Sequence, residues 1–354
     1  MPEDPPEPPV TTTPMPEDAT VPPSEAVHVS TGELPGDAWV QALVDEAHAL
    51  YRSEHGGQVA TVYPALARVS ADLFGVCVTA TDGTVFASGD ADHEFTIMSV
   101  SKPFVFALVC GLIGPAEARR KLGVNSTGLP FNSVGAVEHS AGGRTNPMVN
   151  AGAIAATSLA PGDSTDERWR FIHDGLSRFA GRELELDHEV YRSALATNAR
   201  NQSIARLLQS FDALYCEPAE AVDLYTRQCS LRVSARDLAV MGATLADGGV
   251  NPVTGEAVID PRVCHHTLAV MVTAGLYESS GEWLYDVGLP AKSGIGGGIV
   301  TVSPGKGGMG TFAPPLDRAG NSVRGQQVAR FLSARLGMDL LASEPLVRDR
   351  TASE

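Results

Sequence analysis

Ser99 and Lys102 lie three residues apart in the stretch FTIMSVSKPFVFALVCG, which covers residues 95–111. If a helix begins near Ser99, this spacing places the hydroxyl and the amine on one face of its first turn. A neutral lysine can take the proton of a serine, and burial favours the neutral form of lysine. The spacing therefore indicates a serine nucleophile with a lysine base. A capping serine beside a lysine that reaches the surface would give the same pattern.

Lysine is rare in this chain, so its place in an apolar stretch is informative. The other lysines are Lys121, Lys292 and Lys306. Ser101 is a second candidate nucleophile, but only Ser99 has the three-residue spacing to Lys102. We therefore expect Ser99 to be the reactive serine.

A second motif, Lys292-Ser293-Gly294, stands in a predicted strand and is followed by further glycines. A Lys-hydroxyl-Gly strand accompanies a Ser-x-x-Lys helix in β-lactamases and penicillin-binding proteins. Glycine lets a substrate approach the strand edge, where a backbone amide can bind an oxyanion. A bulged edge strand is the structural alternative. The two motifs together favour catalysis more than either does alone.

Several polar residues elsewhere are candidates for binding a substrate. The amides of Asn146, Asn150 and Asn201 can hold a carboxylate or a carboxamide, or can satisfy their own backbone. Tyr225 and Tyr277 can supply hydroxyl groups, although a buried structural tyrosine is the commoner case.

No metal or cofactor site is predicted. His265-His266 has no partner at metal-ligand spacing, and the glycine runs near Gly296 and Gly307 lack the strand-to-helix context of a phosphate loop. The five cysteines are scattered without a CxxC pair, which predicts reduced thiols and a cytoplasmic protein. The net charge of −16 argues against nucleic acid or an anionic membrane as partner. A small molecule is the expected partner.

Composition divides the chain into three parts. Residues 1–36 are acidic and rich in proline, and they are predicted to be a disordered tail without a secretory signal. Residues 37–340 are predicted to form the catalytic domain, with a helical insertion at about 112–285, and residues 341–354 a flexible tail. No uncharged apolar run reaches the length of a transmembrane helix.

The catalytic region is predicted to have an α+β fold, an antiparallel sheet flanked by helices plus a helical subdomain. The supporting patterns are a helix capped by Asp37 and running to about His55, strands at 73–79 and 84–88, a functional loop at 123–152, two or more helices in 166–208, helices capped by Ser234 and Asp260, two or three strands in 287–312, and a closing helix at 321–336. Asp237 stands in the capping-box position after Ser234.

From about residue 36 to residue 337 the chain resembles the serine-dependent β-lactamase-like glutaminases, which hydrolyse L-glutamine to L-glutamate and ammonia. The stretches that carry the resemblance are SVSK, GLPFNS, RTNPMVNAGAI, ARN, QCS, ATLADGG, GLPAKSG and PPLDRAGNSV. The resemblance implies a fold like that of β-lactamases and penicillin-binding proteins, and a homo-oligomer, either dimer or tetramer. A β-lactamase or cell-wall peptidase activity is disfavoured by the lack of a secretion signal.

The resemblance also implies a role for each matching residue. Ser99 is similar to the nucleophile, Lys102 to its base, and Tyr277 to the tyrosine that relays a proton to departing ammonia. The backbone amides of Ser99 and Ile295 match the oxyanion hole. Substrate-binding roles are implied for Ser99, Asn150, Asn201, Tyr225, Tyr277 and Ile295.

Two positions depart from the family pattern. Ala194 stands where the family has a glutamate expected to bind the α-ammonium group of the substrate, and Val62 stands where it has a pocket tyrosine. Neither Glu189 nor Tyr63 occupies a matching position. Losing one charged hydrogen bond costs roughly 1.5–3 kcal/mol. The alternatives to an ordinary glutaminase are therefore an amidase or acyl-transfer enzyme for an amide without a free α-amino group, or a catalytically weak glutamine-binding protein.

Overall fold

The computed structural model describes residues 32–342. The predicted tails, residues 1–36 and 341–354, lie outside the described residues apart from 32–36 and 341–342. Their disorder and the domain boundaries remain predictions. Within the described range, helices and strands occur in the mixed order expected of an α+β fold.

The described residues form thirteen α-helices and seven strands. The helices are α1 (Asp37–Tyr51), α2 (Ser101–Ile113), α3 (Pro115–Leu122), α4 (Val134–His139), α5 (Asn150–Thr157), α6 (Thr165–Ala180), α7 (His188–Ala196), α8 (Ala199–Ser210), α9 (Pro218–Cys229), α10 (Ala235–Ala246), α11 (Pro261–Ala274), α12 (Ser280–Val287) and α13 (Val323–Arg335). The strands are β1 (Gly75–Ala80), β2 (Val85–Gly89), β3 (Phe95–Thr96), β4 (Arg232–Val233), β5 (Ala291–Ser293), β6 (Gly298–Ser303) and β7 (Gly307–Phe312).

Five strands form one antiparallel sheet in the order β2-β1-β7-β6-β5. The predicted hairpin is confirmed, since β1 and β2 pair with Thr79 opposite Val85. The glycine-rich last third supplies three strands, as predicted. Pairing of β7 with β1 joins these strands to the hairpin in one sheet. Strand β5, which carries the Lys-Ser-Gly motif, lies at the sheet edge. The predicted antiparallel sheet with helices and a helical subdomain is therefore confirmed.

The sheet separates two hydrophobic cores because alternate residues of a strand point to opposite faces. Val76 and Val78 of β1 pack in one core with residues of α1 and α13, such as Val40 and Leu332. Cys77 points to the other face, into the core shared with α10 and the helices of the subdomain. The sheet is thus covered on both faces, and the catalytic motif at its edge borders the helical subdomain.

The glycines of β7 allow α10 to pack directly on the sheet. A Cβ atom added to Gly310 would lie 2.0 Å from the Ala235 carbonyl oxygen. Gly310→Ala should therefore lower the free energy of unfolding by about 3 kcal/mol, because neither backbone can move away easily. Gly281→Ala is the control, since no heavy atom lies within 4 Å of the added Cβ, and it should leave the melting temperature nearly unchanged. Equal melting temperatures for both variants would contradict this packing.

Most of the predicted helix N-caps are confirmed, and one is wrong. Ser234 and Asp237 form the predicted capping box, and Asp260 caps α11. Asp37 does not cap α1: Gly36 occupies the N-cap position without a side-chain hydrogen bond, and Asp37 is already helical. The aspartate instead places a negative charge in the first turn, where the helix dipole favours it.

Candidate active site

Ser99 lies in a single 3₁₀ turn, Met98–Val100, that leads into α2. The backbone of Met98 has φ of +47°, a left-handed conformation that is costly for a residue with a side chain. This turn is held by the short β3–β4 pair before it and by the Ile97 N–H, which donates to the Leu231 carbonyl at 2.9 Å. The surrounding chain thus fixes the position of the serine before any substrate binds.

Lys102 is buried in the first turn of α2, as its spacing from Ser99 predicts. Its Nζ donates to Asn150 Oδ1 at 2.8 Å and to the Met148 carbonyl at 3.2 Å. Burial lowers the pKa of Lys102 to about 7, against an opposing effect of the nearby Cys229 thiol. A neutral amine has two N–H donors, so both are used by these contacts and one lone pair remains to accept a proton.

Asn150 connects the lysine to two predicted substrate-binding residues. Tyr225 donates its hydroxyl to Asn150 Oδ1 at 3.2 Å, and Asn150 Nδ2 donates to Asn201 Oδ1 at 3.0 Å. These side chains come from α9, α5 and α8, three helices of the subdomain. The structure therefore brings together four residues that are far apart in the chain.

Tyr277 joins the Lys-Ser-Gly strand to the serine. Its hydroxyl donates to the Ser293 carbonyl at 3.1 Å, and that carbonyl also accepts from Lys292 Nζ at 2.7 Å. Burial raises the pKa of Tyr277 to about 12, although hydrogen bonding to Ser99 and Ser293 opposes the shift. The phenol therefore keeps its proton at neutral pH and lies beside the candidate nucleophile with a proton to donate.

The turn after β5 lies against the turn that carries Ser99. A Cβ atom added to Gly294 would lie 3.2 Å from the Ser99 backbone nitrogen and 3.0 Å from the Ile97 carbonyl oxygen. Glycine is thus the residue that allows the two turns to approach each other. Ile295 follows directly and lines the same cavity as Ser99. Ser99 and Ile295 therefore line one cavity, as the prediction of a shared oxyanion hole requires.

A cavity of about 1100 Å³ opens over Ser99. Five of the predicted site residues line it: Ser99, Asn150, Asn201, Tyr225 and Ile295. Lys102 lies behind this wall, and Tyr277 lines a smaller neighbouring cavity of about 180 Å³. The groups predicted to transfer protons are thus shielded, while the groups predicted to bind substrate are reachable from the opening.

The two departures from the family pattern both occur at this cavity. Ala194 is buried and lines it, and Val62 lines it at a position 61% exposed. Tyr63 also lines the cavity, whereas Glu189 is paired with Arg68 on an exposed surface. Glu189 therefore does not supply a carboxylate to the site.

Other candidates from the sequence have structural places. Asn146 donates to the Asn125 carbonyl at 2.8 Å and accepts from the Met148 N–H at 3.0 Å, so it holds the loop that presents Met148 to Lys102. Residues 32–342 contain no group of three or more side chains suited to a metal, and His265 and His266 are both exposed. Sequence reasoning overlooked Asn321, whose Oδ1 accepts from the Ser293 hydroxyl at 2.5 Å. Its signal was the conspicuous PPLDRAGNSV stretch.

The family model described as Glutaminase matches residues 57–341. Glutaminase 2 of Yersinia pestis is 67% identical over 318 residues, covering 90% of this chain and 94% of that protein. The glutaminase of Mycobacterium ulcerans strain Agy99 is 48% identical over 304 residues, covering 86% and 95%.

Solved structures give the same result. The probable glutaminase ybaS has a TM-score of 0.86 and 44% identity, covering 87% of this chain and 100% of its own. A probable glutaminase from Bacillus subtilis, solved in complex with 6-diazo-5-oxo-L-norleucine, has a TM-score of 0.77 and 30% identity, covering 85% and 96%. The expected β-lactamase-like fold is confirmed by these neighbours.

Proposed function

The chain belongs to the glutaminase family, and we propose that it cleaves the side-chain amide of L-glutamine through a covalent intermediate on Ser99. The enzyme is a hydrolase that acts on glutamine. One observation carries the proposed mechanism: Lys102 is buried beside the serine turn, and its two hydrogen-bond acceptors, Met148 O and Asn150 Oδ1, are both uncharged. Such a lysine is suited to act as a neutral base.

In the first half-reaction, Lys102 takes the hydroxyl proton while Ser99 Oγ attacks the amide carbon. The carbonyl oxygen becomes an oxyanion, which the backbone N–H groups of Ser99 and Ile295 are proposed to stabilise. Tyr277 donates its proton to the amide nitrogen, the C–N bond breaks, and ammonia leaves. The proton that Lys102 took from Ser99 then passes to the phenolate of Tyr277, which restores both groups.

In the second half-reaction, water attacks the glutamyl ester on Ser99. Lys102 takes a proton from the water, and the serine oxygen regains a proton as glutamate leaves. The two steps together convert glutamine and water into glutamate and ammonia. Asn150, Asn201 and Tyr225 are proposed to hold the substrate during both steps, since they form one hydrogen-bonded group at the cavity wall.

The reaction is tested by incubating the purified protein with L-glutamine and measuring both products. We expect glutamate and ammonia in equal amounts, and no ammonia from L-asparagine at a comparable rate, since its amide is one methylene closer to the α-carbon. Absence of ammonia release from glutamine would overturn the proposed function.

The pH dependence follows from the lysine. Because the pKa of Lys102 is lowered to about 7, the neutral base is present above that pH and is lost below it. We expect kcat/KM to fall about tenfold per pH unit below the lysine pKa and to level off above it. Initial rates between pH 5 and 9, with folding followed by circular dichroism, check this. A flat profile through pH 6–8 would contradict a lysine base.

We also propose a cellular location and an oligomeric state. The described cysteines form no disulfides, which supports a reducing, cytoplasmic location. Large apolar side chains are exposed at Leu112 and Tyr285, which supports burial of surface in a homo-oligomer, dimer or tetramer. Light scattering after size exclusion would measure the assembly. No helix among residues 32–342 is both long and apolar enough to cross a membrane.

A further inference from the structure

The cavity over Ser99 is larger than glutamine alone needs. Its volume of about 1100 Å³ matches the size of pockets that hold drug-sized ligands. Besides the catalytic wall, it is lined by residues 56–63 and by residues 316–318. Space therefore continues beyond the groups proposed to contact the reacting amide.

The charges that line this cavity are not suited to an ammonium group. Among the described lining residues the charged side chains are Arg200, Asp317 and Arg318. Neither arginine forms an ion pair with another described residue. The unpaired charge on the walls is therefore positive.

Asp317 is the acidic residue of this lining, and its carboxylate is already hydrogen-bonded to neighbouring residues of the chain. Its Oδ1 accepts from the backbone N–H groups of Ala319 at 2.9 Å and Asn321 at 3.0 Å. Its Oδ2 accepts from Gln326 Nε2 at 2.8 Å. Turning this carboxylate toward a ligand would break three hydrogen bonds, so it is not a ready partner for a cation.

Ala194 is the residue of α7 that lines the cavity, so its side chain determines which substrate groups this wall can bind. It is 4% exposed and lines the cavity from α7, next along the wall from Thr197 and Asn198. The nearest carboxylate on α7, Glu189, is paired with Arg68. A methyl group at Ala194 neither attracts an ammonium group nor excludes a larger neutral substituent.

We infer that this enzyme also hydrolyses the side-chain amide of glutamine whose α-nitrogen is acylated, as in N-acetyl-L-glutamine or a carboxyl-terminal glutamine of a short peptide. The inference rests on the proposed function, because the same Ser99 chemistry cleaves the amide. The acylated nitrogen is neutral and needs no carboxylate as partner, and its acyl group has space in the cavity. The α-carboxylate of the substrate meets cavity walls on which the charged side chains without an ion pair are arginines. The cleaved bond and the products at the side chain are unchanged.

The test compares kcat/KM for L-glutamine and N-acetyl-L-glutamine. We expect the wild-type values to agree within about tenfold, since neither form of the α-nitrogen gains a charged contact. Ala194→Glu should raise the preference for glutamine by about tenfold to a hundredfold, because it adds a carboxylate at the cavity wall. Ala194→Gln adds a side chain of the same size without charge, and it should not raise that preference.

The control is Ala196→Glu, which places the same charge at an exposed position of α7 outside the cavity lining and should keep the wild-type ratio. A wild-type preference for glutamine above about a hundredfold would overturn the inference, whatever the variants do. Failure of this inference can also be distinguished from failure of the proposed function. If neither amide releases ammonia, the proposed function is wrong, whereas turnover of glutamine alone rejects only the wider substrate class.

Discussion

Replacing Ser99 with alanine should reduce ammonia release from L-glutamine by about 10⁴-fold or more, because the covalent route then lacks its nucleophile. The substitution removes one oxygen from a side chain that lies at the cavity wall. The turn itself is held by backbone contacts, such as the Ile97 N–H to the Leu231 carbonyl. The fold should therefore survive, and a circular dichroism spectrum equal to that of the wild type would show this.

Ser101→Ala is the matched control for this prediction. The Ser101 hydroxyl donates to the Met98 carbonyl at 2.8 Å and accepts from Gln228 Nε2 at 3.3 Å, so it stabilises the turn and is not free to react. We expect a lower melting temperature for this variant, with the rate kept within about tenfold of wild type. A Ser99→Ala enzyme with a rate within tenfold of wild type, or a larger loss in Ser101→Ala than in Ser99→Ala, would reject Ser99 as nucleophile.

Covalent labelling gives a second readout that does not depend on turnover. The Bacillus subtilis relative was solved with 6-diazo-5-oxo-L-norleucine, a diazo ketone that can alkylate a nucleophile. After treatment of this protein with that compound, we expect mass spectrometry to find the adduct on the peptide that contains Ser99. The Ser99→Ala protein should carry no adduct there. An adduct on Cys229, which lines the same cavity, would indicate reaction with a thiol instead.

Local signals predicted much of the fold. The capping box of Ser234 and Asp237 lies within four residues, so its hydrogen bonds depend little on the rest of the molecule. The hairpin at Thr81-Asp82-Gly83 is equally local. Asp37 shows the limit of such signals, because the preceding glycine occupies the N-cap position and the aspartate is the first residue of the helix. Which of two neighbouring residues starts a helix is decided by packing as well as by sequence.

The loop predicted at 123–152 contains more structure than its composition indicates. Helix α4 lies within it, capped by Ser133, and the loop returns to the core where the Asn150 N–H donates to the Phe131 carbonyl at 2.8 Å. The glycine, asparagine and proline content of this segment predicted a loop, so a helix of six residues was missed. Such short helices depend on tertiary contacts, which composition does not reveal. The functional interpretation of this loop agrees with the place of Phe131 and Asn150 at the cavity.

The site was predictable in part. The spacing of Ser99 and Lys102 follows from one helical turn, so it required only sequence. The contacts among Asn150, Asn201 and Tyr225 join residues 51 and 75 positions apart, and only the family resemblance placed them together. Burial of Lys102, which lowers its pKa, also follows from packing of distant helices. The nucleophile and its base were therefore predictable from local spacing, whereas the lowered pKa of the base could be seen only in the folded structure.

Replacing Lys102 with methionine should lower kcat by about 10²- to 10⁴-fold, the usual contribution of a positioned general base. Methionine keeps an unbranched apolar stem in the same buried space, but it cannot donate to Asn150 Oδ1 or to the Met148 carbonyl. Lys306→Met is the control, since that half-buried lysine lies outside the cavity lining and contacts the Gly337 carbonyl. The control should retain the wild-type rate.

The pH profile of Lys102→Met separates catalysis from structural damage. If the neutral lysine is the base, the rise in rate through about pH 7 should disappear in the variant, because the group that titrates is gone. A misfolded or loosened site would lower the rate at every pH and leave the shape of the profile unchanged. Persistence of the rise near pH 7 would assign it to another group. Buried Lys292, which donates to the Gly275 carbonyl at 2.8 Å, would then be the first to replace.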